Sequence, residues 1–551
     1  MTRALVATTV LSLATATVGA EPVSFDWFEY TGRDPVFEQL LPAGHFRNPI
    51  LAGFYPDPSI VRVGDRFYLI NSTFAYLPGI PVFESRDLVH WRQIGNVIDR
   101  PSQLDFDGLG VSRGIFAPAI EHHRGTFYMI TTAVGRRGNF YMTAKDAAGP
   151  WSQPNWLAFD GIDPSFFFDD DGRAYVVNNG PPEGAPLYDG HRAIWIQEFN
   201  VARGEMTGPR KLIINGGTDI ARKPVWIEGP HVYKRDGWYY LSCAVGGTET
   251  NHSQVIFRSR SPWGPYDPYE HNPILTQRDL PADRADPIVN AGHADLVEAP
   301  DGSWWAVFLA SRAYAGGHYN TGRETFLLPV TWKDGWPVIL DKDRSIPYVQ
   351  RGPTFIQAGS QSPLTGNFTW RDEFDGPLDA QWVQLRTVGG DWYAAKSGAL
   401  QIAPGINSLT TAARPTFLAR RQQHMHFDAT TRLHIPSSPD VSAGIAAFQN
   451  EKHWYALTAK REGKRVHLAL SKAAGDAAQV IANTTANTAE AISLRISGDA
   501  GRYSFSFDAG NGWQTLKADD DATHLSTDVA GGFVGTMLGM YALESTSEAA
   551  E

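Results

Sequence analysis

Three carboxylic acids in this 551-residue chain sit in related surroundings: Asp57 between Pro56 and Pro58, Asp163 before Pro164, and Glu228 before Gly229-Pro230. Each opens the same local pattern. A polar or acidic cluster leads to an apolar residue, a charged or glycine turn follows, and then an aromatic and hydrophobic run. The pattern returns at Ala117-Pro118 and at His293-Ala294, so the chain holds five copies spaced 46 to 65 residues apart. Five unequal repeats, each with a strand–turn–strand signal, predict the blades of a five-bladed β-propeller. Residues that open equivalent repeats ring one central funnel, which brings the three acids to one pocket. Carboxyl groups converging there point to glycoside hydrolysis, where one acid protonates the leaving oxygen and a second acts from the opposite face of the sugar.

The surroundings of the acids divide the roles. Glu228 follows Trp226 and Ile227, and a longer carboxyl in apolar company keeps its proton, as a general acid must. Asp57, short and held between two prolines, suits a general base aimed at water. Asp163 is expected to act as a neighbouring negative charge that keeps the acid protonated and orients it. An Asp before Pro is by itself a common turn former. Two of them at repeat-equivalent positions, with a third acid one blade on, favour chemistry.

Beyond the repeats, the chain divides into two units. Residues 1–20 carry one charge, Arg3, then a small and apolar stretch ending Val18-Gly19-Ala20. That is the form of a secretory signal peptide, too short and too weakly hydrophobic for a membrane span, and it predicts export to the periplasm or the extracellular space. Residues 21–45 read as a polar-aromatic lead-in wrapping the first domain. Residues 46–350 form the propeller, whose hairpin tips are signalled by Gly64, Arg124-Gly125, Asp171-Gly172, Asp236-Gly237 and Asp301-Gly302. Residues 351–366, rich in Gly, Ser and Gln, read as a linker. From 367 to 551, alternating segments at 427–435, 441–449, 454–460, 466–471, 492–496 and 503–507 predict a β-sandwich of concanavalin or jelly-roll type. The fold class is all-β throughout.

Composition narrows the partners. The net charge is −11 and no basic stripe is present, which argues against nucleic acid or an anionic membrane. Seventeen Trp and 12% aromatic residues suit both β-rich cores and contact with a neutral polysaccharide. Cys243 is the only cysteine, so no internal disulfide forms, and it reads as a small buried hydrophobe. The acid run Asp169-Asp170-Asp171 reads as a solvated hairpin turn and His122-His123 as surface. The oligomeric state is left open.

The propeller region, about residues 48–332, resembles glycoside hydrolase family 43. The segments that carry the resemblance are Phe54-Tyr55-Pro56-Asp57-Pro58-Ser59, Ser85-Arg86-Asp87-Leu88-Val89-His90-Trp91, Asp163-Pro164-Ser165, Glu228-Gly229-Pro230-His231, Gly292-His293-Ala294-Asp295 and Gly322-Arg323-Glu324-Thr325. The resemblance implies an inverting mechanism with Asp57 as general base, Asp163 as the modulator of pKa and orienter, and Glu228 as general acid. It also implies a propeller-plus-sandwich architecture in which Trp370-Arg371-Asp372-Glu373-Phe374-Asp375 opens the sandwich. The chain is most similar to the two-domain branch of α-L-arabinofuranosidases and β-xylosidases. Asn71-Ser72-Thr73-Phe74 and Gly110-Val111-Ser112-Arg113-Gly114-Ile115-Phe116-Ala117-Pro118 resemble members acting on arabinose-bearing hemicellulose, including xyloglucan.

By the same resemblance Arg323 contacts the terminal sugar or anchors a catalytic carboxylate, and Phe74 lines the sugar subsite. Phe116 stands where many relatives have Trp. His293 is expected to hydrogen-bond near the acid. The expected reaction is exo-acting release of terminal α-L-arabinofuranose, with β-D-xylose close behind, from plant cell-wall polysaccharide or its oligosaccharides. No cofactor is expected. A structural Ca²⁺, near His293 or at the acids of 372–375, is the minor expectation, because Ca²⁺ wants several oxygen ligands. Two other functions fit a five-bladed propeller: a non-catalytic carbohydrate-binding protein, and a retaining fructosidase, whose Asn-Asp-Pro-Asn signature is absent.

Overall fold

The computed structural model describes residues 20–357, 364–487 and 490–545. The expected signal peptide, except Ala20, lies outside the described residues, as do residues 358–363 of the expected linker. Among the described residues no helix is long and apolar enough to cross a membrane.

Five antiparallel sheets follow one another along the chain. Their innermost strands are Ser59–Val63, Ala119–His123, Ile162–Phe168, Glu228–Arg235 and Ile288–Glu298. Each packs beside the next, and the fifth returns to the first, which closes the propeller. The turn from each innermost strand to its neighbour places a glycine at positive φ: Gly64, Gly125, Gly172, Gly237 and Gly302. A hairpin tip of this kind requires the left-handed region, which glycine enters without steric cost.

Hydrogen bonds tie the innermost strands across the axis. Asp295 Oδ2 of the fifth blade accepts from Ser59 Oγ (2.7 Å) and from the Ile60 amide (2.9 Å), while its Oδ1 accepts from the Tyr233 hydroxyl of the fourth blade (2.7 Å). Ser59 Oγ in turn accepts from the Ile120 amide of the second blade (3.0 Å), and Ser165 of the third donates to Pro230 O of the fourth (2.5 Å). All five blades are thereby tied together beside the residues that open them. Asp169 also differs from its expected solvated turn. It is buried, and it joins the third blade to the fourth through Lys234 Nζ (2.6 Å) and the Tyr239 hydroxyl (2.7 Å). His122 and His123 lie against Phe127 and Phe168 and are half-buried. Cys243 is buried in the core between the third and fourth blades.

The second unit is a sandwich of two eight-stranded antiparallel sheets. The lead-in does not wrap the propeller. Strand Val23–Gly32 lies inside one sandwich sheet, paired with His426–His434 on one side and with Phe368–Asp372 and Leu400–Ile402 on the other. Phe25, Phe28 and Tyr30 enter the sandwich core. The register shift between Phe25 and Trp27 breaks the two-residue period that would have marked the strand. The other sheet ends on Tyr76–Leu77, a piece of the first blade that pairs with Val383–Leu385, so one sheet spans both units.

A buried ion network fastens the same junction. Arg312 of the fifth blade donates to Asp34 Oδ2 (2.5 Å), to both oxygens of Glu324 (2.7 and 2.9 Å) and to Gln423 O of the sandwich (2.7 Å). The acids at 372 and 373 serve local structure. Asp372 accepts from the Phe374 amide and the Trp382 indole, and Glu373 pairs with Arg371. Among the described residues no group of three or more His, Cys, Asp or Glu is gathered to hold a metal.

Candidate active site

The five innermost strands do not enter the funnel smoothly. In the third, fourth and fifth blades the pairing with the second strand breaks at Asp163-Pro164, Gly229-Pro230 and His293-Ala294, two residues facing one. Such bulges re-aim side chains. Asp57, Asp163 and His293 take left-handed backbone with φ of 49°, 51° and 51°, a conformation costly for non-glycine residues and concentrated at functional sites.

This register refines the repeat read from the sequence. Glu228 is equivalent to Ile162 and Gly292, whereas the residue equivalent to Asp163 and His293 is Gly229. The acid therefore leaves the backbone one residue earlier than the two aspartates do. Gly229 has φ 54°, and a Cβ there would stand 2.7 Å from His293 Nε2. Its amide donates to the Asp163 carboxylate. The glycine thus lets the imidazole close over the backbone beside the acid.

All seven residues singled out in the sequence line one pocket of about 270 Å³: Asp57, Asp163, Glu228, Phe74, Phe116, His293 and Arg323. Arg323 Nη1 donates to Asp57 Oδ1 (2.9 Å) and its Nη2 to Phe533 O (3.2 Å). The arginine therefore anchors the Asp57 carboxylate. The Ser72 hydroxyl donates to the other oxygen of Asp57.

Electrostatics separates the acids. Burial alone would raise Asp57, but Arg323, His293 and the Ser72 hydrogen bond outweigh it and hold its carboxyl below the usual range. Glu228 goes the other way: burial, with the charge of Asp57, pushes it up to about 7 against Arg323 and Arg192. Burial and the nearby Glu228 and Asp57 push Asp163 well above the usual carboxylate range. Asp163 was expected to be the charge that keeps Glu228 protonated. Asp163 and Glu228 titrate as an interacting pair, and the charge of Asp57 raises both. Burial lowers His293 to about 4, so its ring is neutral there.

The pocket wall is aromatic, and one side of it was not foreseen. Phe533, from the sandwich, stacks on Phe74 (ring centroids 5.6 Å apart, 18° between planes) and meets Phe116 edge-on at 5.5 Å. Ser112 Oγ accepts from the Phe533 amide (3.0 Å), which seats this loop on the second blade. The sandwich thus completes the pocket. Only the Gly531-Gly532 pair before Phe533 marks the loop in sequence, and nothing local says where it docks. Trp226 and Thr248 also line the pocket without having been singled out for it.

The family model described as "Glycosyl hydrolases family 43" matches residues 46–337, and that described as "Beta xylosidase C-terminal Concanavalin A-like domain" matches residues 371–551. A Butyrivibrio fibrisolvens protein described as a xylosidase/arabinosidase is 38% identical, over 90% of this chain and 95% of the relative. A Bacteroides ovatus protein described as a non-reducing end alpha-L-arabinofuranosidase is 36% identical, over 90% and 91%. A crystal structure described as a GH43_12 retrieved from a capybara gut metagenome superposes with a TM-score of 0.91 at 42% identity, covering 95% of this chain and 100% of the other.

Proposed function

We propose that this chain, which belongs to glycosyl hydrolases family 43, is an exo-acting, inverting glycosidase that releases terminal pentose from hemicellulose. The favoured sugar is α-L-arabinofuranose, with β-D-xylose next; xyloglucan, arabinoxylan and their oligosaccharides are the substrates that fit.

The observation that carries this reading is the opposed titration of two carboxyls in one pocket. Asp57 is held ionised while Glu228 keeps its proton to about pH 7. Glu228 gives its proton to the glycosidic oxygen as the bond to the anomeric carbon breaks. Asp57 takes a proton from the water that attacks that carbon from the opposite face. The atoms balance with one water consumed, and the acid and base exchange their protons through solvent before the next turn. Arg323 holds Asp57 in place for this step, and Asp163 lies beside the acid, bonded to the Gly229 amide.

Pocket size supports exo action. A pocket of about 270 Å³ walled by Phe74, Phe116 and Phe533 lies below the roughly 300–1,000 Å³ of pockets that take drug-sized ligands, a size suited to one terminal sugar ring. Carboxyl groups make both proton transfers, so the reaction asks for no metal. The apolar, small-residue stretch at 1–20 supports export to the periplasm or beyond.

The test is a paired rate assay on p-nitrophenyl α-L-arabinofuranoside and p-nitrophenyl β-D-xyloside. Faster turnover of the arabinoside is expected. A preference for the xyloside moves the specificity to β-xylosidase, and turnover of neither overturns the pentosidase reading.

A further inference from the structure

Trp226 stands out among the large apolar side chains of the propeller. It is 39% exposed, yet it lines the catalytic pocket, two residues before Glu228 and joined to it by the fully buried Ile227. Its backbone is left-handed, with φ 52°, a poor conformation for a bulky side chain that persists only where neighbours enforce it.

The neighbours do enforce it. The Trp226 amide donates to Gly190 O (2.9 Å), and Val225 O accepts from the Gly246 amide (2.7 Å). Asn179 Nδ2 donates to Ile227 O (2.5 Å). The carbonyl of the same Asn179 receives Arg192 Nε and Nη2 (3.1 and 2.7 Å), and the Arg192 guanidinium lies 5.0 Å over the Trp226 ring. One face of the indole is thus covered by a fixed cation, and the ring lines the pocket. Val225, the preceding residue, is 41% exposed and adds apolar surface beside it. An exposed aromatic held this firmly, at the cost of backbone strain, serves contact rather than the core.

We propose that Trp226 is the floor of the leaving-group subsite, where the indole stacks on the pyranose ring from which the terminal pentose is cut. The inference rests on Glu228 acting as the general acid. That residue must reach the oxygen joining the two sugars, so the ring beyond the oxygen lies on the acid's side of the pocket. Trp226 is the pocket-lining aromatic tied to the acid by the shortest stretch of chain. A xylose or glucose unit with equatorial hydroxyls presents a flat C–H face, which suits an indole and not a charged surface. Trp226 is therefore a specificity-determining residue for the aglycone and takes no part in proton transfer.

The test separates the leaving group from everything else. kcat/KM is measured on two substrates with the same terminal pentose, its methyl glycoside and an oligosaccharide carrying it on a xylose backbone, for the wild-type enzyme, Trp226→Ala and Trp226→Phe. The ratio of the two values should fall about tenfold in Trp226→Ala, the scale of one lost aromatic contact. The methyl glycoside should lose much less than the oligosaccharide, and Trp226→Phe should recover most of the ratio. Equal losses on both substrates would mean that the residue only holds the acid's strand, and no loss on the oligosaccharide would mean that the leaving sugar does not touch it. Either result overturns the proposal while leaving the glycosidase reading intact. A wild-type enzyme inactive on both substrates would overturn that reading and this one with it.

Discussion

Replacing Glu228 by Gln removes a proton donor while keeping shape and hydrogen-bonding length, and the structure sets the size and form of the effect. With its carboxyl raised to about 7 by burial and by Asp57, the fraction protonated is about 99% at pH 5, about half at pH 7 and about 1% at pH 9. Only the protonated form can donate, so activity is lost as pH rises through this value. For the wild-type enzyme, kcat/KM on a phenyl glycoside should fall about a hundredfold between pH 5 and pH 9, with the midpoint near 7. In Glu228→Gln that alkaline limb should vanish, leaving a low, flat rate about 10²–10⁴-fold below the wild-type plateau. A 2,4-dinitrophenyl glycoside leaves without protonation, so on it the variant should approach the wild-type rate. The assay is a pair of pH–rate profiles on the two leaving groups. A variant that kept the alkaline limb near 7 would show that another group supplies the proton. A variant equally slow on both leaving groups would show that Glu228 serves binding or structure. Either outcome refutes the assignment.

Two further perturbations probe the sandwich. Phe533→Ala removes the ring that stacks on Phe74 but leaves the backbone carbonyl that Arg323 uses. It should raise KM and lower kcat/KM about tenfold, as expected for one aromatic wall, without moving either limb of the pH profile. Arg312→Met takes the cation from buried Glu324 and leaves Asp34 only His426 as an ion-pair partner at the domain junction, and breaking a buried pair this way costs about 3–5 kcal/mol. Its thermal midpoint should drop well below that of the wild-type protein. For Asp34 burial acts upward, but His426 and Arg312 outweigh it and hold the carboxyl below its ordinary value. The stability it contributes is present above its unfolded pKa of about 4 and is lost as pH falls below that. The wild-type midpoint should accordingly decline at low pH, and Arg312→Met should flatten that decline.

Much of this site was legible in the sequence because it is built from repeats. Asp163 and His293 occupy equivalent bulged positions, Asp57 opens the first blade with the same left-handed backbone, and each is marked locally by the Pro or Ala that follows it. The hairpin glycines that pace the blades are equally local signals. What escaped depends on contacts between distant parts of the chain. Strand Val23–Gly32 pairs with partners some four hundred residues away, and a bulge interrupts its alternation. Phe533 completes the pocket by docking on Ser112 and Phe74, more than four hundred residues earlier. The one-residue offset of Glu228 is hidden because Gly229-Pro230 resembles Asp163-Pro164 in sequence, and only pairing with the second strand distinguishes them. The charge balance was half legible. The opposition of Asp57 and Glu228 follows from their neighbours, whereas the raised Asp163 follows from burial between two other acids.

The central claim is that Glu228 and Asp57 act from opposite faces of one sugar, with water entering directly. The most direct measurement is the anomeric configuration of the first-formed sugar, followed by proton NMR during hydrolysis of the preferred aryl pentoside before mutarotation sets in. The account predicts the inverted anomer first, with the retained one growing in later at the mutarotation rate. The retained anomer as first product would require a covalent intermediate, and would contradict the assignment of Asp57 as a base acting on water.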